Sequence, residues 1–250
     1  MLSVSGNNWE ELILNNRIIE KVKVEKNFSD IISKLIISRN FDSLEIKSIN
    51  EKVNILNPFL KNKDFVKTHQ IINECVKNKE RILVIGDYDV DGCISTALLI
   101  NFFKKINIEI NYYIPDRRKD GYGVNINLIK ELIKKKPALI IMVDCGSVAN
   151  KEIDFLNDQK IKTIIIDHHE IYKPYPKSSS LINPKKECDY NSYDYFCSAT
   201  LTYFLIDSYI HVKKLDINFK ENLIYILLAT VSDVMPLRKI NRYIALNIIK

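Results

Sequence analysis

RILVIGDYDVDG (81–92) is a short apolar run that stops at a glycine and is followed at once by three aspartates in five residues. Two later stretches repeat the arrangement. ALIIMV (138–143) runs into Asp144-Cys145-Gly146, and KTIII (162–166) runs into Asp167-His168-His169. A further strand candidate, IEINYYI (108–114), leads into the polar loop PDRRKDGYG (115–123). Between and after these runs the apolar spacing becomes helical, at Ala97–Lys105, over 125–136, at Val148–Asn157, and over 198–213 and 219–231. Short, continuously apolar strands alternating with helices are the pattern of a parallel sheet covered on both faces. The fold class expected is therefore α/β, a mostly parallel sheet with helices on both faces, preceded by a helical N-terminal region.

Upstream, residues 1–78 are charge-rich, with helices expected at Phe28–Ser38 and Lys63–Lys77 and no glycine-rich linker before the first strand. The expected organisation is a mostly helical region over 1–78, the α/β domain over 79–239, and the start of a connecting helix over 240–250. Composition removes other classes. Of 250 residues, 46% are hydrophobic and the net charge is only +6, which excludes a disordered chain; six glycines exclude a collagen-like one. No uninterrupted apolar run is long enough to span a bilayer, and the first residues lack the basic flank and apolar block of a secretory signal. The five cysteines (75, 93, 145, 188 and 197) include no CxxC pair, so they read as reduced thiols of a cytoplasmic protein.

In an open parallel sheet, ligands bind beyond the carboxyl ends of the strands. Three of the four strand candidates deliver acid or imidazole to that one edge: Asp87, Asp89 and Asp91, then Asp144, then Asp167, His168 and His169. Asp233, in ATVSDVMPL (229–237), adds an acid at the end of an apolar helix. Taken singly, each aspartate has an ordinary structural use as a helix N-cap or turn residue. Their convergence on one edge is what points to a site. DYDVDG is not the start of an EF-hand loop, because position 12 counted from Asp87 is Leu98, where a bidentate glutamate is required.

Carboxylates with one or two imidazoles and no thiolate pair suit Mn²⁺ or Mg²⁺. An extended Asp89-x-Asp91 segment would set both side chains on one side, each on a different ion, with a carboxylate such as Asp144 between them. Four Asp and one His carry a formal charge of about −4, which two divalent cations neutralise and which repels strongly without them. Two ions about 4 Å apart support hydrolysis at phosphorus by a metal-held water.

In order, GDYDVDG (86–92), VDCG (143–146), DHH (167–169) and ATVSDVMPL (229–237) resemble the four motifs of the DHH phosphoesterase superfamily, and most of all its RecJ-like branch of single-stranded-DNA exonucleases. ILNPFLKNKDF (55–65), IPDRRKDGYGVN (114–125) and LINPKKECDY (181–190) fit that branch too. The resemblance implies that Asp89 and Asp91 bind separate metals, that Asp144 bridges them, and that His168 and Asp233 complete the set around one ion. It implies that His169 contacts the scissile phosphate and assists the leaving group, while Asp87 and Asp167 stand behind the ligands or substitute for one. Ile85 occupies a position where some relatives carry a histidine, and CSAT (197–200) departs from a glycine-rich stretch. Arg117, Arg118 and Gly121, on the loop leaving the same edge, are candidates for gripping the phosphates of a strand.

The activity implied is 5′–3′ digestion of single-stranded DNA in repair and recombination, with single-stranded DNA and other repair or replication proteins as partners. The alternatives are a phosphodiesterase or pyrophosphatase acting on small phosphates, and a non-catalytic replication or repair scaffold. Relatives continue past the fourth motif into a closing domain and an oligonucleotide-binding barrel. The resemblance therefore implies an N-terminal catalytic part with weak activity alone.

Overall fold

The computed structural model describes residues 3–8, 10, 12–121 and 123–249. The chain forms two compact units, Met1–Asn54 and Ile55–Lys250. In the first, helix α1 (Asn16–Lys26) packs on α2 (Asp30–Ser38), and α3 (Ser43–Lys47) follows. Each starts on a side-chain cap: Asn15 accepts from Arg17 N, Ser29 from Ile32 N, and Asp42 forms a capping box with Glu45.

The second unit begins with α4 (Lys63–Lys77), β1 (Ile82–Ile85), α5 (Val90–Lys105), β2 (Asn111–Tyr113) and α6 (Ile126–Leu132). It continues with β3 (Leu139–Val143), α7 (Asn150–Asp158), β4 (Lys162–Ile166), β5 (Ser180–Ile182), α8 (Ser198–Lys213), α9 (Leu223–Ser232) and α10 (Lys239–Ile248). The strands lie in the order β2-β1-β3-β4-β5, every pair parallel. Strand alternation divides the core. On one face Ile82, Val84, Ile141, Val143, Ile164 and Ile166 pack with α4, α5, α8 and α9. On the other, Leu83, Ile85, Ile140, Met142 and Ile165 pack with α6 and α7. The α/β class, with helices on both faces, is as the apolar runs indicated.

The differences lie at the edges of elements. Helix α5 starts at Val90 rather than Ala97, taking Asp89 into its cap and Asp91 into its first turn. Strand β5 arises in a stretch with no strand signal, drawn in by pairing Ile182 to Ile166. The boundary expected after residue 78 falls inside the second unit, which begins at Ile55. Phe59 explains this. It stacks on Phe65 with ring centroids 4.4 Å apart and meets Tyr190, Tyr193, Phe196 and Phe204 edge-on. Asn57 Nδ2 donates to Phe204 O and to Asp207 Oδ2, each at 2.8 Å. No described helix is long and apolar enough to cross a membrane.

Sheet order reverses direction between β1 and β3, and the crevice at such a switch point is where a doubly wound sheet binds ligands. The segments after β1 and β3 are those that carry Asp87–Asp91 and Asp144.

Phe59→Ala is expected to lower the unfolding free energy of the second unit by about 3–5 kcal/mol, measured by urea denaturation. A loss below about 1 kcal/mol would place residues 55–62 outside that core.

Candidate metal centre

Gly86 follows β1, its N–H donating to Tyr113 O, and α5 begins four residues later. Asp89 is the N-cap of α5, its Oδ1 accepting from Gly92 N at 2.9 Å, and Asp91 lies in the first turn. The segment is therefore a helix start and not the extended run expected. Gly92 permits it. A Cβ at that position would lie 2.5–2.7 Å from the backbone of Asp87.

Asp91 is buried, and the N-terminus of α8 is built onto it. Ser198 N donates to Oδ2 at 2.7 Å and Ala199 N to Oδ1 at 2.8 Å. Two helix N–H groups and the positive end of a helix dipole are what a buried carboxylate requires. Burial still outweighs the pull of His168 and these donors, and holds the Asp91 carboxyl above its ordinary range.

Asp144 follows β3 in the left-handed region at φ 60, an uncommon conformation for a residue other than glycine. Its N–H donates to Ile166 O, and its Oδ1 accepts from Ser198 Oγ at 3.0 Å. Its Oδ2 is buried with no hydrogen-bond partner. Burial, followed by the charges of Asp91 and Asp89, pushes this carboxyl up to about 11.

His168 is likewise unpartnered. Its Nε2 lies 3.3 Å from Asp233 Oδ2, 3.4 Å from Asp144 Oδ1 and 3.7 Å from Asp91 Oδ2, yet neither ring nitrogen makes a hydrogen bond. Burial lowers its pKa, favouring the neutral ring. Neutral imidazole nitrogen and carboxylate oxygens converging without donors between them are a donor set that suits a divalent cation.

Among the described residues, three groups have ligand atoms within 4.8 Å of one another: Asp91, His168 and Asp233; Asp87, Asp89 and Asp144; and Asp144, His168 and His169. Asp144 belongs to two of them. Asp233 caps the C-terminus of α9, where the negative end of the dipole leaves a carboxylate in need of a cation.

Asp167 is different, because its oxygens are already occupied. Oδ2 accepts from Ser147 N at 2.9 Å, and Oδ1 accepts from His168 N, His169 N and His169 Nδ1. Burial pushes this carboxyl up, but His169 and the backbone donors outweigh it and hold it well below the ordinary range. An ionised carboxylate only accepts, so His169 carries its proton on Nδ1 and turns Nε2 to other use. The same hydrogen bond raises the pKa of His169.

Asp87, with one oxygen accepting from Tyr88 N, sits among the possible ligands. Arg117 stacks over the Tyr88 ring, 5.6 Å from its centroid, beside the first motif. Arg118 is exposed, with its N–H bound to Asp116. Gly121 has φ 83 with open space around it, and Ile85 is sealed in the sheet.

Sequence reasoning missed Ser198 and Asn183 as site residues. Asn183 Nδ2 donates to Ser147 Oγ at 2.8 Å and to His169 O at 2.9 Å, pinning the loop that carries both histidines. The departure at CSAT was the one signal pointing to Ser198.

A family model described as the DHH family, N-terminal domain, matches residues 81–231, more than half of the chain. The chain belongs to the DHH family. The single-stranded-DNA-specific exonuclease RecJ of Bacillus subtilis (strain 168) is 27% identical over 186 residues, covering 73% of this chain and 24% of that protein. RecJ of Escherichia coli (strain K12) is 29% identical over 187 residues, covering 70% and 32%. A crystal structure of exonuclease RecJ bound to manganese superposes with a TM-score of 0.67 at 25% identity, over 77% of this chain and 48% of that one. RecJ from Thermus thermophilus in complex with Mn²⁺ gives 0.76 at 21% identity, over 93% and 33%. The chain spans only 24–39% of the length of the first three curated relatives it matches.

The raised carboxyls fix a pH dependence for this DHH-family centre. Asp144 takes up a proton on folding, so the stability it contributes is complete below its unfolded pKa and is lost as pH rises toward about 11. Between about pH 7 and pH 8.5, above the ordinary histidine range, the metal-free chain should lose thermal stability. A divalent cation binds the deprotonated ligands, so the rise in Tm on adding Mg²⁺ should grow over that window. A rise independent of pH would contradict these shifts.

Proposed function

We propose that this chain is a RecJ-like nuclease that hydrolyses terminal phosphodiesters of single-stranded DNA in the 5′–3′ direction, in repair and recombination. The observation that carries the reading is a buried carboxylate, Asp144, shared by two groups of possible ligands, with a second histidine held beside them. The names of the relatives support the substrate, and the manganese and magnesium in solved RecJ structures support the cofactor.

In this reading Asp89 and Asp91 would hold separate divalent cations, Mn²⁺ or Mg²⁺, and Asp144, which belongs to two of the ligand groups, would be shared. His168 and Asp233 complete one set, and Asp87 backs the other. When bound, the cations supply charge neutralisation at phosphorus and a more acidic water. The chain contributes the rest. Ser198 and the α8 N-terminus hold Asp144 and Asp91 in place. Asp167 orients His169 and raises its pKa, so that Nε2 holds a proton for the departing oxygen. Arg117 and Arg118, on the neighbouring loop, accompany the strand by phosphate contact. Asp89, Arg117 and Arg118 are all solvent-exposed, and slow turnover by the chain alone is part of the proposal.

The test uses end-labelled single-stranded and duplex oligonucleotides and a dinucleotide, with Mn²⁺. Single strands should be shortened from the 5′ end, and duplex should resist. His169→Ala should lower kcat about 10²–10⁴-fold, the usual range for loss of a proton-transfer group, with Mn²⁺ binding retained. Preference for the dinucleotide would instead assign a small-phosphate phosphodiesterase.

A further inference from the structure

A cavity of about 440 Å³ leads away from the metal cluster. Asp87, Asp144 and His169 line it together with Val124, Val148 and Tyr172. Its size is that of a small-molecule site. Val148 and Tyr172 are each 72% exposed, two large apolar surfaces left open beside a cluster of acids. Among the described residues Tyr172 makes no hydrogen bond and no ring contact, and most of its surface is open.

We infer that this cavity is a nucleotide seat, in which Tyr172 stacks on the base of the nucleotide whose phosphate lies at the metal cluster. The inference rests on the phosphodiester reading above and adds to it the residue that takes the base. Charge fixes the orientation. Glu152 and Glu170 also line the cavity, Glu170 being paired to Lys185 at 2.9 Å, and acids repel phosphate from those walls. The phosphate is left to the end where cations bind, and the base to the aromatic and valine surfaces. Ser147 N is committed to Asp167, and Ser147 Oγ accepts from Asn183 Nδ2. Recognition in the seat is by stacking and apolar contact, which every base offers. A base stacked within a duplex has no free face to give, so the seat favours an unpaired end.

The test compares binding of thymidine 5′-monophosphate and of inorganic phosphate to the Mn²⁺-loaded chain by calorimetry. The nucleotide should bind about tenfold more tightly than phosphate, within the range that one base–aromatic stack provides. Tyr172→Ala should abolish that difference and leave phosphate and Mn²⁺ binding intact. Tyr172→Phe, which keeps the ring, should preserve it. Tyr225→Ala, an exposed tyrosine on α9 outside the cavity, should change neither. On single-stranded DNA, Tyr172→Ala should raise KM about tenfold with kcat within about twofold. Equal binding of nucleotide and phosphate by the unmodified chain, or an unchanged preference in Tyr172→Ala, overturns the inference. A chain that cuts single strands while showing either result loses the seat and keeps the nuclease reading. A chain that holds the nucleotide through Tyr172 yet leaves DNA uncut keeps the seat and loses the nuclease reading.

Discussion

Carboxylates gathered at one buried sheet edge repel one another, and the rest of the site is arranged around that repulsion. Asp144 is enclosed between Asp91 and Asp89, and burial alone makes its charged form unfavourable. The surrounding structure answers with donors only in part. Asp91 receives two N–H groups from α8 and Asp144 one hydroxyl, while Asp144 Oδ2 and both nitrogens of His168 receive nothing. Buried polar atoms without partners are costly, and their clustering here suits a place for cations.

The acids fall into two kinds by how they are satisfied. Asp167 is saturated by protein donors and holds its charge without help, which lets it act as an anchor for His169 and for the 146–147 turn. Asp87, Asp89, Asp144 and Asp233 keep oxygens free for a ligand, and Asp91 stands between the two kinds. The same edge thus carries a fixed negative charge that orients His169 and acidic oxygens left free that suit a metal. Topology makes the combination possible. The sheet order reverses between β1 and β3, so the loops after these strands meet, and the loop after β4 joins them from the next position.

The buried strands were legible because both faces of the sheet are covered, which turns β1 and β3 into unbroken apolar runs and makes β4 apolar from Ile164 to Ile166. The acids that end them could be placed on one edge by strand direction alone. Other features required tertiary information. Helix α5 begins earlier than its apolar spacing suggests, because Asp89 is an N-cap and Gly92 allows the close approach; both residue types also signal turns. Strand β5 has three residues and exists through its pairing with β4. Residues 55–78 join the sheet unit through Phe59, whose ring partners are as distant in sequence as Phe204. The hydrogen bond from Ser198 to Asp144 spans 54 residues, and no local pattern could announce it.

Manganese binding to the 250-residue chain, measured by calorimetry beside Asp144→Ala, tests the central claim most directly. The account predicts two ions in the unmodified chain and one or none in the variant, because the carboxylate belongs to two of the three ligand groups. Two ions bound with unchanged affinity by Asp144→Ala, or no binding by the unmodified chain, would contradict it.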